Sequence, residues 1–353
     1  MKYNLSSLCE YRKGKVNIDI LNKDTYISTE NMLPNKGGVV QATSLPTALQ
    51  TQGYKKGDVL VSNIRPYFKK IWQAEYDGGC SNDVLVFKAN DTTDKIFLYY
   101  VLADDAFFNY SMATSKGTKM PRGDKTSIMQ YGVPHYDMVE QKKIAYVLRM
   151  LDKKIKLNNK INNNLEQQMT AIYKNRFSYV LQGNSATVEQ LIIFSNGQKR
   201  PSEEGDIPVY GGNGILSYTN KSNSNNCIVI GRVGAYCGNV SYSPKECWVS
   251  DNAIKAKSKS SNSQLFAYHL LKHAELPSRH IGTGQPLITQ GILNAIPCSL
   301  PDSTEIDAFN DLCGPLQRKM DDNFAENVQL SALREILLPK LMSGELDVSN
   351  INL

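Results

Sequence analysis

Apolar residues recur between positions 138 and 177 at alternating steps of four and three: Ile144, Leu148, Leu151, Ile155, then Asn158 and Asn162, then Leu165, Met169 and Ile172. Such steps keep one stripe on one side of an α-helix, the pattern of a coiled-coil strand. No Pro or Gly interrupts the run, so the spacing predicts a single helix over Met138–Phe177, roughly 60 Å long at about 1.5 Å per residue. Its apolar stripe needs a partner to cover it.

A second stripe answers the first. Moved on by 165 residues, the same positions are Phe309, Cys313, Leu316, Met320, Asn323, Asn327, Leu330, Arg334 and Leu337. Asparagine falls on asparagine twice, and apolar on apolar at nearly every other position. If the two helices pack antiparallel, centre against centre, facing positions share a constant sum of 485. Asn158 then faces Asn327, Asn162 faces Asn323, Ile155 faces Leu330, Leu165 faces Met320 and Leu148 faces Leu337. An amide facing leucine would lose its partner at about 1–3 kcal/mol. The four asparagines are therefore expected to set the register of the pair; the alternative is an ordinary amphipathic helix with its asparagines in water.

The flanking segments repeat as well. Leu8, Tyr11 and Gly14 match Leu191, Phe194 and Gly197 at an offset of 183, and Ser81–Val84 match Ser250–Ala253 at 169. Phe97, Tyr99 and Leu102 match Phe266, Tyr268 and Leu271 at 169, whereas Gly117, Thr118 and Pro121 match Gly282, Thr283 and Pro286 at 165. The falling offset places extra residues in the early loops of the first globule. Within that globule Gly57–Ser62 and Asp83–Phe87 read as buried strands, Ile96–Phe108 as a helix, and Ser115–Lys125 as a Gly/Lys-rich loop. The expected fold class is α+β: two similar mixed α/β domains separated by two long helices packed as an antiparallel coiled coil, with a pseudo-twofold internal repeat. The expected boundaries are 1–136, 137–178, 179–301 and 302–353, with Pro339 ending or kinking the second helix.

Composition narrows the class. At 353 residues, 41% apolar and 21% charged, the chain suits a globular protein of more than one core. No apolar run approaches the roughly 20 residues of a membrane span, and the polar start MKYNLSSLCEYRKGK lacks a signal sequence, so a cytoplasmic location is expected. Seven cysteines without C-x-x-C spacing read as reduced thiols. His269 and His273 stand four apart on a predicted helix, but no further ligand lies at metal-binding spacing, and no metal is expected. The net charge of +6 permits a polyanion partner without requiring one.

Catalytic patterns are missing. There is no G-x-x-x-x-G-K-[ST], no G-x-S-x-G and no H-E-x-x-H, and Gly231-x-x-Gly234 lacks dinucleotide spacing. Asp302 and Glu305 read as the acidic first turn of a helix. The chain reads as non-catalytic. Two related modules on a rigid spacer suit a partner with two reading sites at fixed separation, and duplex DNA is such a partner.

Several strings carry a specific likeness: GDVLVSNIRPYFKK (57–70), CSNDVLVF (80–87), EQKKIAYVLRMLDKKIKLNN (140–159), IPVYGGNGILSY (207–218), CIVIGRVGAYCGNV (227–240), WVSDNAI (248–254) and LREILLPKLMSGEL (333–346). With these, the chain resembles over its full length the specificity (S) subunit of type I restriction–modification systems. The resemblance implies that 1–136 and 179–301 are target recognition domains, each reading half of an asymmetric bipartite double-stranded DNA target. It implies that the helices are spacers that dock two methyltransferase (modification) subunits, with restriction subunits joining the assembly. It also implies that S-adenosylmethionine, ATP and magnesium reside on those partners, with no cofactor bound by this chain.

Base readout favours Arg or Lys for guanine and Asn or Gln for adenine, and phosphate contacts favour Lys, Arg and small polar residues. The DNA-binding candidates are Arg65, Tyr67, Lys69, Lys70, Lys116, Lys119 and Arg122 in the first domain. In the second they are Lys199, Arg200, Asn213, Lys221, Arg232, Tyr236, Arg279 and Gln285. Gly211, Gly212 and Gly282 would let backbone approach the duplex. Each charged candidate taken singly is equally well a solvated surface charge. On the outer faces of the helices Lys153, Lys154, Lys156, Arg318 and Lys319 are candidates for meeting methyltransferase or DNA backbone. Two other classes remain: a two-domain protein-interaction scaffold without DNA affinity, and an enzyme with an unrecognised site.

Overall fold

The computed structural model describes residues 2–282, 284–349 and 351; Thr283, one letter of the internal repeat, lies outside them. It contains two compact units, Met1–Lys156 with Asn327–Leu353, and Leu157–Glu326. Two long helices, Met138–Phe177 and Ser303–Ser343, supply both. Each unit therefore holds one globule and two half-helices.

Both helices start with the same reciprocal cap. Asp137 Oδ1 accepts from the backbone N of Val139 and Glu140, while Glu140 Oε2 accepts from Asp137 N at 2.9 Å. Asp302 Oδ1 accepts from Thr304 N at 2.8 Å, and Glu305 Oε2 accepts from Asp302 N at 3.2 Å. Each box satisfies orphan N–H groups and sets negative charge at the positive end of the helix dipole. Pro339 does not end the second helix, which runs on to Ser343. Packing outweighs the lost backbone bond there, because Leu338, Leu341 and Met342 are all buried beside it.

In the first unit the half-helices run antiparallel and share a core containing Ile144, Leu148, Leu338, Leu341 and Met342, with Leu337 packed against it. Asp152 is the polar link: one carboxylate oxygen meets Arg334 Nη1 at 2.6 Å and the other accepts from Tyr100 OH at 2.6 Å. In the second unit Asn323 Nδ2 donates to Asn162 Oδ1 at 2.8 Å, the facing pair that the constant sum requires. Asn162 Nδ2 reaches Met320 O at 3.4 Å and Asn158 Nδ2 donates to Glu326 Oε2 at 2.8 Å.

The first globule is built on a four-stranded antiparallel sheet in the order Cys9–Tyr11, Val84–Ala89, Val59–Ser62, Ile71–Gln73. Val59, Val61, Leu85 and Phe87 face one core with Phe97, Phe107 and Phe108, and Leu60, Val84 and Val86 face another with Ile27, Tyr54 and Cys80. A sheet covered on both faces reads as an unbroken apolar run, which is why VLVS and DVLVF lack alternation. A second sheet runs Lys15–Asn17, Gln50–Tyr54, Gly78–Cys80, Tyr26–Ile27, its last pair parallel. The expected helix Ile96–Phe108 is broken into Lys95–Ala103 and Asp105–Ala113. Asp104 is the cause: its backbone is extended, and its side chain caps the second segment by accepting from Ala106 N.

The second globule repeats the plan. Its main sheet runs Ile192–Asn196, Ala253–Ser258, Cys227–Gly231, Val240–Ser243, again all antiparallel. A two-stranded ladder closes each globule, Lys2–Asn4 with Gly132–Pro134 and Ala186–Thr187 with Pro297–Cys298. The smaller sheets differ: the second unit has three strands, Gly214–Thr219, Ile207–Gly211 and Trp248–Val249. Tyr173, Phe177, Phe266 and Phe309 fill the core beneath, where the half-helices meet the globule. All seven cysteines are buried and free. No helix among the described residues is long and apolar enough to cross a membrane.

Candidate nucleic-acid interface

The two candidate surfaces grow from the same backbone. In the first unit the strand Val59–Ser62 leads into a 3-10 turn at Pro66–Phe68. That turn is tied to a small hairpin, because Arg65 N donates to Pro121 O at 2.8 Å and Gly123 N donates to Asn63 O at 3.2 Å. The hairpin is closed by Lys116 and Arg122, which exchange backbone bonds of 2.9 Å each way across a left-handed Gly117.

In the second unit the strand Cys227–Gly231 leads into the turn Gly234–Tyr236. Gly234 N donates to Pro286 O at 3.0 Å and Ile288 N donates to Arg232 O at 2.9 Å. Ile281 and Leu287 close that hairpin across Gly282, with 2.9 Å bonds each way. The frame is one frame used twice, and the side chains on it differ: Lys116 and Arg122 stand where the second unit has Ile281 and Leu287.

Nearby acids partly neutralise the first surface. Lys69 Nζ meets Asp105 at 2.6 Å, Lys116 Nζ meets Asp124 at 2.6 Å and Arg122 meets Asp83 at 3.1 Å. The Lys116 ammonium, with help from the Ser127 N–H, holds the Asp124 carboxyl at about 2. Burial alone would raise the Asp105 carboxyl, but hydrogen bonds from Lys69 and Lys36 bring it below its ordinary value. Burial lowers the Lys70 ammonium, whose Nζ donates to Thr29 O at 2.6 Å. Tyr67 is 48% exposed, its ring 4.6 Å from that of Phe68, and Lys119 stands exposed on the hairpin.

In the second unit the structure gathers Arg232, Tyr236, Gln285 and the 211–213 segment. Tyr236 is 52% exposed, and Asn239 Nδ2 donates to Gly212 O at 3.2 Å, fixing the hairpin tip that carries exposed Asn213. Arg279 is held by its Nε, which donates to Ala274 O at 2.7 Å. Lys199 and Arg200 are exposed, and Lys221 pairs with Glu203. Among the described residues no hydrogen bond or bridge joins these three to the turn and hairpin. Reading the sequence missed Asn35 and Lys36, whose backbone N–H groups donate to Phe68 O and Lys69 O at 2.8 and 2.9 Å. The Pro-Asn-Lys-Gly-Gly stretch signals a turn there, but nothing local says what it grips.

His269 and His273 form no metal centre with their neighbours: among the described residues no group of three His, Cys, Asp or Glu is placed to hold an ion. His269 is instead fully buried and stacked on Tyr173 at 5.9 Å.

The family model for the type I restriction modification DNA specificity domain matches residues 1–167 and 192–314, most of the chain. The chain belongs to that family. Residues of the chain are 26% identical over 187 positions to the type I restriction enzyme HindI specificity subunit of Haemophilus influenzae, covering 50% of this chain and 40% of that subunit. They are 28% identical over 89 positions to the EcoDI specificity subunit of Escherichia coli, covering 25% of this chain and 20% of that one. The matches thus span less than half the length of these curated relatives. The fold is shared with the crystal structure of the S subunit of a type I restriction–modification system from M. genitalium, at a TM-score of 0.58 and 19% identity over 97% of this chain and 96% of that one.

Proposed function

We propose that this chain is a non-catalytic DNA sequence-recognition subunit of a type I restriction–modification enzyme. Each globule reads one half of an asymmetric bipartite target, and the two long helices set the spacing of the halves and dock two methyltransferase subunits. Restriction subunits complete the assembly. S-adenosylmethionine, ATP and magnesium belong to those partners, and this chain binds none of them.

One observation carries the reading. The two units present the same turn and hairpin through matching hydrogen bonds, Arg65 N to Pro121 O and Gly234 N to Pro286 O, yet different side chains on them. A scaffold that is kept while its reading letters change suits two different half-sites. The helix cations Lys153, Lys156, Arg318 and Lys319 are the positions on which methyltransferase contacts are expected; Lys156 also pairs with Glu75 at 2.7 Å.

The test is the methylome of a host carrying this chain with its methyltransferase subunit. An asymmetric motif of two short halves around a fixed gap supports the reading, and no new methylation, or a contiguous motif, overturns it. Affinity for target duplex that does not fall with rising salt would favour the protein-scaffold alternative, since phosphate contacts release counterions.

A further inference from the structure

Among the described residues six that are not glycine have left-handed backbone, and four of them meet in one clasp of the first unit: Asn35 and Lys36 (φ 54° and 60°), and Arg65 and Lys69 (φ 51° and 50°). The two strands of the clasp are joined by Asn35 N to Phe68 O and Lys36 N to Lys69 O. Lys36 is its centre. The side chain is only 8% exposed, and its ammonium spans Asp105 at 3.1 Å and Glu335 at 3.0 Å, while Lys69 reaches the other oxygen of Asp105. Left-handed backbone crowds Cβ against the following carbonyl, so such residues persist only where the surroundings enforce them, and they gather at functional places.

The second unit shows what this backbone accepts when no side chain is needed. At the offset of 169, Arg65 and Lys69 correspond to Gly234 and Gly238, with φ of 78° and 82° at the two ends of the matching turn. At Gly238 a Cβ would lie 2.5 Å from Pro277 N, so space alone demands glycine. At Gly234 nothing lies within 4 Å of a Cβ, so only the dihedral favours glycine and the position opens outward. The first unit places an arginine at the corresponding position despite the dihedral.

Lys69 is accounted for by its ion pair with Asp105. Arg65 is not: its Nε is enclosed and meets no acceptor among the described residues, in contrast to the paired Lys116 and Arg122. Arg65 is half-buried with its Nε enclosed, which restricts the directions its guanidinium can take. A phosphate contact does not need that, and the exposed Lys119 could supply one; a base edge does. The planar fork of arginine matches O6 and N7 of guanine in the major groove.

We propose that Arg65 reads a guanine in the half-site contacted by the first unit, and that Lys36 is the positioning residue that holds the clasp presenting it. This rests on the DNA-recognition reading above. The second unit has glycine at the corresponding place, so it reads its own half through other side chains.

The test compares methylomes of hosts carrying the methyltransferase subunit with the wild-type chain, Arg65→Gly, Arg65→Lys or Lys36→Met, together with melting of the purified full-length chains. Arg65→Gly should melt no lower than wild type, because glycine suits the dihedral. It should relax one guanine of one half-motif, losing roughly ten- to a hundredfold of discrimination there, and leave the other half unchanged. Arg65→Lys should relax the same position, since it keeps charge but not the fork, and Lys36→Met should do so without altering the other half. An unchanged motif in Arg65→Gly, a loss of methylation at all sequences alike, or a lower melting temperature would each overturn the proposal. A wild-type chain that yields no bipartite motif would instead sink the reading beneath it.

Discussion

Asn323 donates its side-chain amide to Asn162 across the antiparallel half-helices of the second unit, at 2.8 Å and with Asn323 only 1% exposed. Replacing Asn162 by leucine removes the acceptor and leaves the buried Asn323 amide without it. The expected cost is about 1–3 kcal/mol, read as a lower urea midpoint with unchanged slope. Replacing both asparagines by leucine should recover most of that loss, because no amide is then stranded. A single variant as stable as wild type would show that the pair does not set the register.

Asp152 joins Tyr100 and Arg334 in the first unit, with the side chains of Arg334 and Asp152 22% and 29% exposed. Asp152→Asn keeps the shape and removes the charge that both partners meet. A loss of about 2 kcal/mol is expected, and it should persist at high salt because a half-buried pair is poorly screened.

Burial lowers the imidazole of His269 to about 3, with the nearby Lys272 and His273 adding to the shift. Neither ring nitrogen has a hydrogen-bond partner among the described residues. Because the folded value lies below the unfolded one, the unfolded chain binds the extra proton first. Stability is therefore fully present above pH about 6.5 and falls as the pH drops toward about 3, by up to about 1.4 kcal/mol per unit. His269→Phe, which suits the surrounding Tyr173 and Phe309 rings, should flatten acid unfolding between pH 4 and 6, whereas an unchanged profile would place the acid-sensitive group elsewhere.

Val348 is 5% exposed in the first core, Ile351 packs against it, and Lys143 Nζ donates to Ser349 O at 2.6 Å. A chain stopped after Gly344 should lose about 2–4 kcal/mol from the first unit. Hydrogen exchange would show faster opening in the first unit and little change in the second.

Arg122 and Gln285 sit on the two hairpins, and both are exposed. Replacing both by alanine should weaken binding to the target found by methylome sequencing while moving stability by no more than about 0.5 kcal/mol. If Arg122 touches phosphate, the slope of affinity against salt falls by about one. Unchanged affinity in a gel shift would remove both residues from the interface.

The long helices were the most legible part, because a seam with steps of four and three cannot be mistaken for a strand pattern. The acidic cap at Asp302 and Glu305 was readable, and the same letters spell it at Asp137 and Glu140. Buried strands such as Val59–Ser62 were visible as apolar runs, although their neighbours in the sheet were not. Long-range pairing hid the rest. Lys69, Lys116 and Arg122 count as cations in a sequence, and only the fold supplies Asp105, Asp124 and Asp83 beside them. The left-handed Arg65 and Lys69 carry no local mark, because glycine, the usual sign of such backbone, appears only in the second copy. The break at Asp104 was missed for a related reason: an aspartate inside an apolar stretch caps a helix only if the chain bends there.

The first unit is discontinuous, since it needs residues beyond 326 as well as those up to 156, whereas the second is one unbroken stretch. A ribosome making this chain therefore releases the amino-terminal globule long before the half-helix that covers its base. The core around Ile144 and Leu148 therefore stays uncovered until Leu338, Leu341 and Met342 have been made, after every residue of the second unit.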